Sequence, residues 1–300
     1  MNNRLQPFHC LCSVLSFVLS VGLAFPAHAA VNDIFPGDYE TLPAGMTTVT
    51  AYAYLRQAEG PYVQGKKQMN GRLDIPIAAV RISNFIKLGG MSFAPMVVLP
   101  WAEIKASPGA LSDSLGKDAH GFGDLRLSGT LWLREDTQAR EYIGITATVI
   151  LPTGDYDADR LLNIGNNRTA LVLGGGWIKP LTAHVILEII PEAAFYGDNK
   201  EYAGQNRLRQ APTYALGGTL RYHFSSQAQI FSGAQVNRGG ATSINGVDQD
   251  DAVENTRFSL GASYLTQSRQ QWALRYSRDL HIQNGFKTTN ELTLRYLVFF

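Results

Sequence analysis

From Thr288 to Phe300 the chain alternates between apolar and polar residues with a period of two. Leu292, Leu294, Tyr296, Val298 and Phe300 share one parity, and Glu291, Thr293 and Arg295 share the other. That period belongs to a β-strand, because successive side chains point to opposite faces of a sheet. The pattern recurs upstream. Thr213–Phe224 sets Tyr214, Leu216, Leu220, Tyr222 and Phe224 against Thr213, Thr219, Arg221 and His223. Arg140–Leu151 sets Ile143, Ile145, Ala147 and Val149 against Tyr142, Thr146 and Thr148. About twelve such stretches can be read, beginning near Ala44, Gln68, Leu88, Gly121, Arg140, Arg168, Leu181, Thr213, Gln227, Ala252, Trp272 and Thr288.

The connections between them alternate in length. Long ones lie near 57–67, 105–120, 152–167, 197–210 and 239–251, and short ones near 83–87, 134–139, 179–181, 225–227 and 267–270. A membrane barrel has long extracellular loops and short periplasmic turns, whereas a soluble sandwich has no reason to sort its loops this way. Tyr222, Phe224, Tyr264, Trp272, Tyr296 and Phe300 fall near the expected periplasmic strand ends, as an aromatic girdle would. The expected fold is all-β: a transmembrane antiparallel up-and-down β-barrel of about 12 strands. The last strand should close on Ala44–Arg56, with Glu291, Thr293 and Arg295 toward the lumen. The stretches near 68–82 and 88–104 alternate least and contain Pro76 and Pro95, which belong at edges, bulges or bends. Gly174-Gly175-Gly176 would bend a strand or admit a close neighbour. Ala30–Pro43 is irregular and is expected at the periplasmic entrance.

Residues 1–29 read as an export signal: Arg4, a mostly apolar run from Leu11 to Phe25, and Ala27-His28-Ala29 as the cleavage site. The barrel domain is then 30–300. Both cysteines, Cys10 and Cys12, fall in the signal, so disulfides do not stabilise the rest. Beyond residue 29 there are 25 basic and 25 acidic residues, which argues against a nucleic-acid partner.

One loop carries a motif. Leu151-Pro152-Thr153-Gly154-Asp155-Tyr156-Asp157 is followed by Arg160 and Asn163-Ile164-Gly165-Asn166-Asn167, and Gly121-Phe122-Gly123-Asp124-Leu125 precedes it. With these segments the chain resembles a family of Gram-negative outer-membrane proteins associated with the meta-pathway of phenol degradation and described as transporters. The resemblance implies residence in the cell outer membrane and a channel for passive passage of small molecules, with aromatic or other hydrophobic compounds as the implied solutes. It also implies no enzymatic role and no cofactor. Outer-membrane lipids, the barrel-assembly machinery and a small-molecule solute are the implied partners. Phe300 is the implied recognition end for assembly. The implied motif residues are Pro152, Thr153, Gly154, Asp155, Tyr156, Asp157, Arg160, Asn163, Gly165 and Asn167.

Residues on the inward parity are the candidates for lining a path: Asp124, Arg126, His184, Glu188, Glu192, Arg221, His223, Arg257, Arg275, Asp279, Glu291 and Arg295. Mixed charges there can set selectivity or form a salt-bridged plug. Asp155, Asp157 and Asp159 alternate like the start of a calcium loop. Arg160 and Asn166 replace the Gly and Glu such a loop needs, so no metal is expected. His223 and Ser225 could suggest a lipid hydrolase, but no nucleophile elbow is present, and His223 shares the parity of Arg221. A non-transporting structural or surface-binding barrel is the alternative to a channel.

Overall fold

The computed structural model describes residues 34–300; the export signal expected over 1–29 lies outside the described residues. Twelve long strands carry the fold: β1 (Thr47–Val63), β2 (Arg72–Asn84), β3 (Met91–Ala106), β4 (Arg126–Asp136), β5 (Glu141–Ile150), β6 (Ala170–Pro180), β7 (Val185–Tyr196), β8 (Thr213–His223), β9 (Ala228–Gly239), β10 (Val253–Leu265), β11 (Gln270–Ile282) and β12 (Gly285–Phe299). Each pairs antiparallel with its neighbour in sequence, and β12 pairs with β1 to close the sheet. In that seam Tyr296 stands opposite Ala51, and Phe299 opposite Thr48. Closure gives every strand two partners, which a sheet in hydrocarbon requires because no water is there to satisfy an edge.

The alternation places one parity outward. Leu55, Val80, Leu99, Ile145, Leu173, Leu216, Leu260 and Leu294 each leave more than two-fifths of their surface uncovered by protein. A belt of this size suits lipid and would aggregate in water. At its periplasmic rim Trp272 packs on Tyr296 with ring centres 4.3 Å apart, and Tyr222 meets Phe224 edge-on at 5.1 Å.

Three elements depart from the sequence reading. The strand expected from Gly121 to Leu133 is broken. Asp118–Phe122 pairs with β3, Gly123–Leu125 leaves the ladder, and pairing resumes at Arg126 opposite Val98. Two long loops carry strands of their own: the hairpin Asn199–Tyr202 and Asn206–Gln210 joins the hairpin Thr242–Ile244 and Val247–Asp248 through pairing of Asn206–Gln210 with Thr242–Ile244, a small four-stranded sheet. Finally, the residues from Ile34 to Leu42 do not wait at the periplasmic entrance. They fold into the barrel, where Phe35 and Tyr39 are buried. The inward faces of the strands leave room there, and their arginines attract the segment's acids.

The largest extracellular core lies under the loops. Leu73, Ile75 and Ile104 of the wall pack with Leu111 and Leu115 of a short helix, Ala110–Leu115, and with Leu162 of the motif loop. Leu161 and Ile164 pack against the same cluster.

Candidate functional site

The lumen divides into two unlike halves. Along β1 to β6 runs a cavity of about 920 Å³. Its boundary extends from Ala183, Ser225, Ser226 and Phe299 at the periplasmic turns to Ile104, Asn163 and Ile164 beneath the extracellular loops. Strands β2 and β3 give it an apolar wall of Ile75, Ile77, Ala79, Ala94, Met96, Val98, Pro100, Ala102 and Ile104. Their outward residues, such as Val80, Ile82, Leu99 and Trp101, are apolar as well. That is why these two strands alternate so weakly. Beside this wall, on β4, β5 and β7, stand Arg126, Ser128, Thr130, Thr146, Thr148 and Glu192, with Arg126 paired directly to Val98. The result is an amphipathic passage with one greasy side and one hydrogen-bonding side, the combination that small-molecule sites use.

Ion pairs fill the other half and reach the edge of the cavity, which Glu40, Arg56 and Arg221 border. Arg221 Nε lies 2.6 Å from Glu188, and its Nη2 lies 2.6 Å from Glu40. Arg257 contacts Asp279 at 2.9 Å and Glu291 at 3.8 Å, and Arg56 reaches Glu291 at 2.5 Å. A void of only about 50 Å³ remains among Glu188, Phe231, Arg257, Arg275 and Glu291. Buried charges are tolerable only when paired, and removing one partner typically costs about 3–5 kcal/mol.

The twelve inward candidates therefore separate. Asp124, Arg126, His184, Glu192, Arg221, His223 and Arg295 border the large cavity. Glu188, Arg257, Arg275 and Glu291 border the small void, and Asp279 is buried beside Arg257. His223 faces the lumen next to Arg140, 3.4 Å away, and not the lipid as a lipid-cleaving site would need.

The segment from Ile34 to Leu42 occupies the periplasmic half of the lumen. Asp38 accepts from Arg81 at 2.9 Å and from Arg295 at 2.8 Å. Burial raises the Asp38 pKa, but the two guanidiniums outweigh it and hold the carboxyl at about 2. Phe35 lies under Arg275 and Arg295, with guanidinium-to-ring distances of 4.3 and 5.0 Å. Trp132 Nε1 donates to the Tyr39 carbonyl at 2.7 Å, and Arg275 donates to the Ile34 carbonyl at 3.0 Å. Burial pushes the Tyr39 phenol up to about 12. The close neighbour admitted by the triple glycine is this ring: a Cβ at Gly176 would lie 2.2 Å from Tyr39. Sequence reasoning missed the segment, although its two acids and two aromatics opposite inward arginines were a usable signal. Trp132, on the parity of Thr130, was missed too.

The motif loop is an internal clamp. Asp124 leaves the β-ladder so that its carboxylate can accept from Gly154 N at 3.0 Å, Asn166 N at 2.9 Å and Asn166 Nδ2 at 3.0 Å. Asp155 accepts from Phe122 N, and Thr153 Oγ1 accepts from Leu125 N at 3.0 Å. Gly165 rests on Gly154, where a Cβ would come within 2.8 Å of the backbone. Asn163 bonds the Asp157 and Arg160 carbonyls, and Arg160 reaches across to the Asp118 carbonyl. Tyr156 donates to the Glu201 carbonyl at 2.9 Å and accepts from Asn199, tying the clamp to the small sheet. Asn167 adds bonds to Asn199 and Glu201. Pro152 caps the end of β5 with no polar contact of its own among the described residues. Asp157 spends a carboxylate oxygen on Asp159 N. Among the described residues no group of three or more His, Cys, Asp or Glu could hold a metal ion.

Comparison with known proteins agrees with this geometry. The family model described as "Putative MetA-pathway of phenol degradation" matches residues 55–296. The crystal structure of the COG4313 outer membrane channel from Pseudomonas putida F1 superposes with a TM-score of 0.84 at 30% identity, covering 89% of this chain and 100% of that one. The β-domain of the Bordetella autotransporter BrkA superposes at 0.53 with 11% identity, covering 86% of this chain and 100% of that one, and shares the fold alone. No protein of curated function matches the sequence.

Proposed function

Because the chain belongs to the MetA-pathway phenol-degradation family and is an outer-membrane channel, we propose that it passes small aromatic or similarly hydrophobic molecules passively along the cavity beside β2 and β3. The observation that carries this reading is the apolar wall of β2 and β3, from Ile75 to Ile104, in one cavity with the polar side chains of Arg126 and Glu192. A water-filled porin needs no such wall. An aromatic ring can lie on it while a hydroxyl or carbonyl bonds the polar side, so neither part of the solute is left without a partner. No covalent step is needed, and we assign the chain no catalytic role. Asp124, Arg126, His184, Glu192, Arg221, His223 and Arg295 are the lumen residues in reach of the solute. The ion pairs of the other half stiffen the wall. Phe300, exposed beyond β12, is offered to the barrel-assembly machinery. The test is uptake of phenol by intact cells, whose lipopolysaccharide leaflet slows unassisted passage. Cells carrying the protein should take phenol up faster than cells without it, while a sugar of similar size gains little. Equal gains for both solutes would point to a general pore, and no gain for either to a non-transporting barrel.

A further inference from the structure

The extracellular end of the cavity is bordered by Ile75, Ile104 and Ile164. We propose that the apolar cluster above it is a hydrophobic gate in which Leu111 and Leu162 determine which solutes pass, admitting small uncharged apolar molecules and refusing ions and sugars. This rests on the cavity being the solute path. Leu111 and Leu162 are each only 1% exposed. Ile75 and Ile104 belong both to this cluster and to the cavity wall, and Ile164 touches both. Apolar surface is thus continuous from under the loops down into the passage. Leu111 lies directly on Gly71, where even a Cβ would sit 2.6 Å from it, so no water layer separates the short helix from the wall.

The two leucines come from different loops, and each loop is tied down at its base by polar bonds. Asp124 and Asp155 hold the motif loop, and Arg160 bridges it to Asp118 beside the helix. The six-residue helix is too short to be stable by itself, and its N-cap, Gly109, supplies no side chain. Its position therefore depends on apolar packing. An apolar solute can replace that packing as it enters, since burying its surface against leucine is favourable. A hydrated ion or a sugar must shed water at the same place with no partner in return. The motif clamp then has a purpose in transport: it fixes the edges of a gate whose centre is held only by dispersion and burial.

The experiment compares the full-length wild type with Leu111→Asn/Leu162→Asn and Leu111→Ala/Leu162→Ala. It measures single-channel KCl conductance in planar bilayers and uptake of phenol against a sugar of similar size in cells. The Asn pair should wet the gate, raising KCl conductance several-fold and lowering the phenol-to-sugar ratio. The Ala pair, smaller but still apolar, should keep the ratio at or above wild type. A folded Asn pair, shown by a heat-modifiable gel shift, with conductance and ratio both unchanged overturns the gate. If the Asn pair does not fold, Leu162→Ser alone decides by the same two readings. If the wild type itself gives phenol no advantage, the reading of the cavity fails; if it does and only the Asn variants show no change, the gate alone fails.

Discussion

Asp38→Asn probes the luminal segment with the least change of shape. The wild-type carboxylate sits between Arg81 at 2.9 Å and Arg295 at 2.8 Å. The amide removes the counter-charge from both, although Arg295 keeps Gln271 and the Phe35 ring. Losing one partner of a buried pair costs about 3–5 kcal/mol. Even the lower figure would shift the balance between docked and undocked segment by about 150-fold, at about 1.4 kcal/mol per factor of ten. We expect D38N to show larger and more frequent conductance steps in a planar bilayer. Maleimide labelling of a cysteine introduced at Ile34 should be faster than in the wild type. Unchanged conductance together with unchanged labelling would refute the view that these ion pairs hold the segment. The pH dependence has a definite sign. The folded-state pKa of Asp38 lies near 2, below its ordinary 3.8, so the pairing is fully present above the ordinary value and is lost only as pH falls toward 2. Wild-type conductance should not change through this carboxylate between pH 7 and pH 5.

Other changes test the remaining parts. Gly176→Val forces a side chain into the Tyr39 ring without touching any charge, and should open the periplasmic half much as D38N does; conductance like wild type would mean the ring moves aside freely. Asp124→Ala removes the acceptor of three hydrogen bonds, each worth about 1.5–3 kcal/mol when charged. Protease added to intact cells should then cut within 151–167 far faster than in wild type, with the barrel's heat-modifiable shift retained.

The barrel was legible because its alternation is clean where one face meets lipid and the other meets polar groups, as from Thr213 to His223 and along β12. Legibility failed where both faces are apolar. The weak pattern near 68–82 and 88–104 marks the apolar wall of the cavity, because an inward apolar residue looks the same in sequence as an outward one. The break at Gly123–Leu125 was hidden for a different reason. Asp124 keeps the parity of a lumen residue, yet its carboxylate serves a loop some thirty residues later in the chain. The inward arginines were found on parity alone, but parity does not say which carboxylate meets which arginine. Asp38 and Glu40 come from outside the strands altogether.

The most direct measurement is phenol uptake by cells carrying Val98→Trp, which places an indole against the middle of the apolar wall and narrows the cavity without removing an ion pair. We expect uptake to fall to the level of cells lacking the protein, with Gln235→Trp in the opposite, salt-bridged half leaving it near wild type. Phenol uptake unaffected by V98W in a correctly folded barrel would contradict passage along β2 and β3.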